Sequence, residues 1–174
     1  NDSKDADSVV IIMARGRYDF HPVTLREYYI SNHDQPNPKA VGIDLAGWHN
    51  LCFDGKGADL IFHGRMLPIA LVGSQDVTLR NFSVDFETPH ITQVEIVENH
   101  ASEGVIVFRP APWVKWRIED GRFIAYGEGW QMHPIAGIAF DGQTGHLVYR
   151  TSDIGVGTNS VQEGADGTVI AQWN

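Results

Sequence analysis

The chain has one cysteine, Cys52, in 174 residues. A single thiol permits no internal disulfide and no cysteine-based zinc site. Basic residues are also scarce: 13 Lys and Arg stand against 22 Asp and Glu, for a net charge of −9. No Lys/Arg-rich run occurs, which argues against a nucleic-acid or anionic-membrane partner. The longest apolar run, Val9 to Ala14, is far too short to span a bilayer, so no membrane insertion is expected. There is no H-E-x-x-H, G-x-S-x-G or phosphate-binding loop, and 155-GVG-157 follows no strand–helix arrangement. The histidines are scattered. His33-Asp34 offers two adjacent donors for a metal, but no spacing assembles three ligands, so neither metal nor cofactor is expected.

What is present is β-strand grammar. The 18 Gly and 8 Pro provide many turns, residues 51–90 carry no helical phase, and 43% hydrophobic residues suffice for a core. The acidic head 1-NDSKDADS-8 reads as a disordered tail left after removal of a signal segment, which predicts an exported protein: periplasmic, cell-surface or secreted.

Residues 9–90 contain a repeat. In 43-IDLAGWHNLCF-53 and 69-IALVGSQDVTL-79, Ile43 meets Ile69, Leu45 meets Leu71, Gly47 meets Gly73, Leu51 meets Val77 and Phe53 meets Leu79. An offset of about 26 residues suits one coil of a solenoid. Each segment is too short to stand alone, but stacked on its copy it buries its apolar face and pairs its backbone. The fold expected is all-β, with residues 9–90 starting a right-handed parallel β-helix; 9-VVIIMARGRYDFHP-22 serves as its capping strand and turn. An antiparallel sandwich of similar-looking strands is the alternative.

Stacking sets Asp54 over Arg80 as an exposed ladder pair, worth about 0.2–1 kcal/mol. Beyond the turn 54-DGKGAD-59, an offset reduced to about 22 sets Leu60 and Phe62 over Phe82 and Val84. His63 then lies over Asp85 and Arg65 over Glu87, on the outward parity. Together with His90, these four make a candidate glycan-facing wall; a solvated ladder of salt bridges is the competing reading. Asp85 and Glu87 are two residues apart on one strand, about 6.5–7 Å between Cα atoms, a spacing that inverting glycosidases permit and that any D-x-E satisfies. Asn81-Phe82-Ser83 fits a glycosylation sequon but falls inside a rung.

From Ile91 the grammar changes. Segments 91–97, 104–110, 113–118, 122–129, 136–141 and 146–151 read as strands joined by hairpin turns, among them 119-EDG-121 and 141-DGQTG-145. Residues 91–174 are therefore expected to form an antiparallel β-barrel or small sandwich. The boundary falls near 88-TPH-90, because Pro89 cannot donate to a ladder. Trp113, Trp116, Tyr126 and Trp130 are candidates for a sugar-stacking platform or for core.

Five phrases carry a resemblance: 28-YYISNHDQ-35, 61-IFHGRMLP-68, 80-RNFSVDFETPHITQV-94, 108-FRPAPWVKWRI-118 and 125-AYGEGW-130. In order and content they resemble the N-terminal part of glycoside hydrolase family 110, the exo-α-1,3-galactosidases of gut and marine bacteria. The resemblance implies a β-helix interrupted by β-barrel modules, inverting hydrolysis, a glycan with terminal α-galactose as partner, and no metal essential to the chemistry. The family's catalytic aspartates lie on coils after the matched region, so they are expected beyond residue 174, no catalytic residue is carried over, and this chain alone is expected to be inactive. The alternatives are a non-catalytic carbohydrate-binding or structural module acting through Trp113, Trp116 or Trp130, and a polysaccharide lyase. The acidic balance disfavours the lyase. An open β edge also predicts self-association into a homo-oligomer.

Overall fold

Three short phrases in the first half of the chain share one pattern: 18-YDFH-21, 60-LIFH-63 and 84-VDFE-87. In each, the first and third residues are apolar or aromatic and the second and fourth point the other way, as the two-residue period of a strand requires. In a computed structural model of the chain these phrases lie side by side in register. Tyr18, Leu60 and Val84 form one row, and Phe20, Phe62 and Phe86 the next. The structure describes residues 8–23, 25–30, 37–134, 136–151, 154–155 and 160–172. Most of the expected N-terminal tail, and His33-Asp34, lie outside them.

The chain divides into two units, Asn1–Pro89 and His90–Asn174. In the first, the strands are β1 (Val9–Ile12), β2 (Arg17–Phe20), β3 (Arg26–Tyr28), β4 (Lys39–Asp44), β5 (His49–Phe62), β6 (Leu67–Ala70) and β7 (Gln75–Phe86). The long strand β5 has β1 and β2 along one edge and β7 along the other, all parallel. A smaller sheet has the order β3-β4-β6, with β4 and β6 parallel and β3 antiparallel to β4. The offset of the sequence repeat is the register of both parallel pairings: Ile43 lies on Ile69, Leu51 on Val77 and Phe53 on Leu79. Gly47 and Gly73, matched in the same repeat, both take φ in the left-handed region, 68° and 61°. The repeat keeps glycine there because the corner between strands needs a conformation that costs a side chain energy.

The centre of the stack is its driest part. Ala58, Leu60 and Phe62 on β5 are fully buried, packed with Met66 and flanked by Met13, Tyr18, Phe20, Phe82 and Phe86. Phe20 stacks on Phe62 with ring centroids 4.8 Å apart, and Phe62 meets Phe86 at 6.2 Å. Covered on both sides, Phe62 contributes about 1.5–3 kcal/mol through burial, whereas Val84 on the outer strand is 43% exposed.

Two expectations for this region are corrected. Between Asp54 and Ala58 the register shifts, and past it the offset narrows by less than the sequence suggests. Residues 55–57 bulge opposite Asn81 alone, so the first copy is longer by two residues and the inward parity survives the slip. Leu60 therefore lies on Val84 and Ile61 on Asp85, and the backbone N–H of Glu87 bonds the carbonyl of Phe62. That puts Glu87, not Asp85, level with His63.

The second correction is the exposure of Asp54: it pairs with Arg80 across the rung as expected, but it is buried, 1% exposed. Its carboxylate accepts from Arg80 Nε and Asn81 Nδ2, both at 3.0 Å, and from the Lys56 N–H at 3.0 Å. Asn81, the sequon residue, spends its amide on this contact. The Asn81 bond, then the Lys56 N–H and the charges of Lys56 and Arg80, outweigh desolvation and lower the Asp54 pKa from 3.8 to about 2.

In the second unit the strands are β8 (Val94–His100), β9 (Val105–Pro110), β10 (Lys115–Glu119), β11 (Arg122–Gly127), β12 (Trp130–Met132), β13 (Ala136–Gly137), β14 (Ile154–Gly155), β15 (Ser160–Glu163) and β16 (Val169–Gln172). All described pairings are antiparallel, in sheets ordered β15-β16-β9-β8 and β10-β11-β12 with a separate β13-β14 pair. Asp120 and Gly121 both have positive φ, the two-residue hairpin conformation that Asp-Gly favours. Among the described residues the pairings do not close into a barrel. The two larger sheets instead bury one shared cluster: Phe108, Val169 and Ala171 from one, Phe123, Ala125 and Trp130 from the other. Short 3-10 turns are the only helical elements described, and among the described residues no helix is long and apolar enough to cross a membrane.

Candidate functional site

Because β2, β5 and β7 are in register, their outward residues also form rows. Arg17, Asp59 and Ser83 share one row, and Asp19, Ile61 and Asp85 the next. Beyond the strand ends His63 N–H bonds the Phe20 carbonyl and Glu87 N–H the Phe62 carbonyl, which continues the ladder with His21, His63 and Glu87. The polar wall is thus a consequence of the apolar rows behind it.

Arg17 binds two carboxylates on this wall. Its Nη2 donates to Asp19 Oδ1 at 2.7 Å and to Glu87 Oε2 at 2.6 Å, and its Nε to Asp19 at 3.0 Å. His63 Nε2 lies 2.9 Å from the same Asp19 oxygen. The Arg17 bonds, then that of His63, hold Asp19 far below the usual carboxylate range, and the two carboxylates raise the guanidinium above its ordinary value. An ionised Asp19 only accepts, so the proton shared with His63 sits on Nε2. The imidazole is fixed from behind: its side chain is 13% exposed and stacks on His21 with centroids 4.1 Å apart. In the row of Arg17 itself, Ser83 Oγ donates to Asp59 at 2.6 Å.

Of the residues expected to form a glycan-facing wall, the structure joins two, His63 and Glu87. Asp85 is exposed on the same face, but its carboxylate turns back to accept the Phe86 N–H at 2.8 Å. Arg65 is exposed in the bend after β5, outside the Arg17–Asp19–His63–Glu87 network. His90 belongs to the second unit, where it meets Trp130 edge-on at 5.4 Å. Arg17 and Asp19 were missed by sequence reasoning. The signal that finds them is the YDFH phrase, a third in-register copy that reads as a mere cap when only the shorter repeat is followed. Among the tryptophans, Trp130 is buried and Trp116 stacks on Phe123 at 5.6 Å, so both are core. Trp113 is 40% exposed.

Comparison with known proteins connects this arrangement to a family. Residues 92–174 match the family model described as GLAA-B beta-barrel domain I. Over 163 residues, 92% of the chain, the sequence is 56% identical to an α-1,3-galactosidase B of Phocaeicola vulgatus. An α-1,3-galactosidase B of Parabacteroides distasonis is 51% identical over 162 residues, again 92% of the chain. An α-1,3-galactosidase A of Shewanella woodyi is 33% identical over 146 residues, 82% of the chain. The chain belongs to the α-1,3-galactosidase family. It spans about a quarter of the length of these relatives, namely 27%, 26% and 24%. The family's barrel domain corresponds to the antiparallel unit, and the parallel unit with the polar wall lies in the sequence before the match.

Proposed function

We propose that this chain is the N-terminal portion of an exported glycoside hydrolase that removes terminal α-1,3-linked galactose from glycans. Its first unit would supply the opening coils of a right-handed parallel β-helix and its second a barrel-like module. The observation that carries the reading is identity above one half across nine-tenths of the chain to enzymes named for that activity. Identity this high over 92% of the chain covers both units.

Within this reading the Arg17–Asp19–His63–Glu87 wall binds sugar hydroxyls and performs no bond cleavage. An inverting hydrolase needs one carboxylic acid kept protonated near neutral pH and a second carboxylate to activate water. Asp19 is driven the opposite way, towards permanent ionisation, by Arg17 and His63. Fixed acceptors and a guanidinium are instead suited to orienting hydroxyl groups. The acid and base of the reaction lie elsewhere, and the chain alone turns over no galactoside.

The test is a titration with an α-1,3-linked galactose disaccharide followed by NMR. Shifts centred on His21, His63 and Glu87, lost in Glu87→Gln, with no release of galactose, are the expected result. Shifts confined to Trp113 would favour the non-catalytic binding module instead, and galactose release by the purified chain would overturn the assignment of this wall to binding alone.

A further inference from the structure

The wall offers a chemistry that neither the sequence motifs nor the family names point to. Asp19, His63 and Glu87 each present one ligand atom, and those three atoms lie within 4.8 Å of one another. They come from three segments well separated along the chain, which is why no spacing in the sequence shows them. Two carboxylate oxygens and one imidazole nitrogen are a donor set for a divalent metal of the zinc class. Two anionic ligands match its charge, and the single nitrogen separates it from calcium or magnesium, which take oxygen alone.

Two features of the geometry favour binding over a chance cluster. The His63 ring is held by its stack on His21, so the nitrogen is aimed at the carboxylates before any metal arrives. Arg17 already bridges Asp19 and Glu87 with a positive charge, so the carboxylates are gathered as two ligands must be. The long Arg17 side chain is 52% exposed, so its guanidinium can swing out to solvent. The rim of the site stays open on the side of Glu87, whose side chain is 45% exposed.

We propose that Asp19, His63 and Glu87 form a binding site for a divalent transition metal, with Arg17 as an internal cation that competes for the same two carboxylates. The proposal rests on the wall's geometry and does not require sugar binding, which would engage the same side chains. The exchange is a substitution without redox change: metal bonds form to two carboxylate oxygens and to His63 Nε2, the proton on that nitrogen leaves to solvent, and the Arg17 ion pairs open.

The test uses the intact chain and cobalt(II) or zinc(II) alone, with no glycan present. Cobalt should produce visible ligand-field absorption that zinc displaces and that excess calcium or magnesium leaves unchanged. His63→Gln and Glu87→Gln should abolish the band while circular dichroism shows an unaltered fold. Arg17→Gln should bind about tenfold more tightly, as expected if an ion-pair competitor worth that factor is removed. In the unmodified protein, His63 should be the imidazole whose NMR signals shift or broaden on cobalt addition. A folded protein with no cobalt band, cobalt binding unchanged in His63→Gln, or weaker binding in Arg17→Gln would each overturn the proposal.

Discussion

Phe20 and Phe62 face each other across adjacent parallel strands with ring centroids 4.8 Å apart, and this contact fixes which polar residues meet on the opposite face. Phe62 is the central member of the row and is fully buried. Replacing it with alanine removes contacts to both neighbouring rungs and leaves a cavity. Phe62→Ala should cost about 3–5 kcal/mol in urea unfolding of the first unit, and Phe62→Leu distinctly less. Loss of the His63–Asp19 contact should accompany it, visible as a shift of the His63 ring signals.

The buried carboxylate of Asp54 makes stability depend on acid pH. Its folded pKa lies below the unfolded value, at about 2 against 3.8. The contribution is therefore complete above pH 3.8 and disappears as pH falls towards 2. Asp54→Asn should be less stable than the natural chain at neutral pH, and acid unfolding curves of the two should converge as pH approaches 2. A constant gap between them down to that pH would show that hydrogen-bond geometry, not charge, is what Asp54 contributes.

Gly55 is required for space and not for its backbone angles. A Cβ there would lie 2.5 Å from Phe82 Cβ and 2.8 Å from the Asn81 carbonyl, both too rigid to yield. Gly55→Ala should destabilise by about 1–3 kcal/mol in thermal or urea unfolding. Gly142→Ala, where nothing lies within 4 Å, provides the tolerated comparison.

His100 in the second unit carries a surface interaction that can be read directly. Its Nε2 lies 2.8 Å from Glu98, and that hydrogen bond, then the Glu98 charge, raises its pKa above 6.5. The pair stabilises the unit below pH 6.5 and loses its effect as pH rises through the folded value. An NMR titration should give a His100 midpoint above 6.5 that falls in Glu98→Gln and in high salt.

Much of the first unit's register was legible because apolar alternation and paired glycines are local signals. Ile43, Leu51 and Phe53 found Ile69, Val77 and Leu79 from spacing alone. The bulge at 55–57 was not legible. A turn rich in Gly and Asp does not reveal how many residues leave the ladder, so the register came out two residues short and His63 was set against Asp85. The burial of Asp54 escaped for a related reason: Asn81 sits at φ 60° opposite the bulge and closes over the carboxylate, a local fold that alternation cannot encode. In the second unit the hairpin at Asp120-Gly121 was readable, while the open pairing of β8, β9, β15 and β16 was not. Val169 meets Phe108 from a distant part of the chain, and no local pattern carries that partnership. Arg17 and Asp19 joined the site because β2 repeats the phrase of β5 at a longer offset, outside the period that links β4 to β6 and β5 to β7.

The register beyond the bulge underlies the wall, and cross-linking measures it directly. In a Cys52→Ser background, Ile61→Cys combined with Asp85→Cys puts two thiols on one row of parallel strands, about 4.8 Å apart in backbone spacing and within disulfide reach. Ile61→Cys with Ser83→Cys places them two residues out of step, about 8 Å apart and beyond it. Mass spectrometry after mild oxidation should find the intramolecular disulfide in the first pair and little in the second. Efficient bonding of 61 to 83 with none to 85 would put His63 back over Asp85 and dissolve the Asp19–His63–Glu87 cluster.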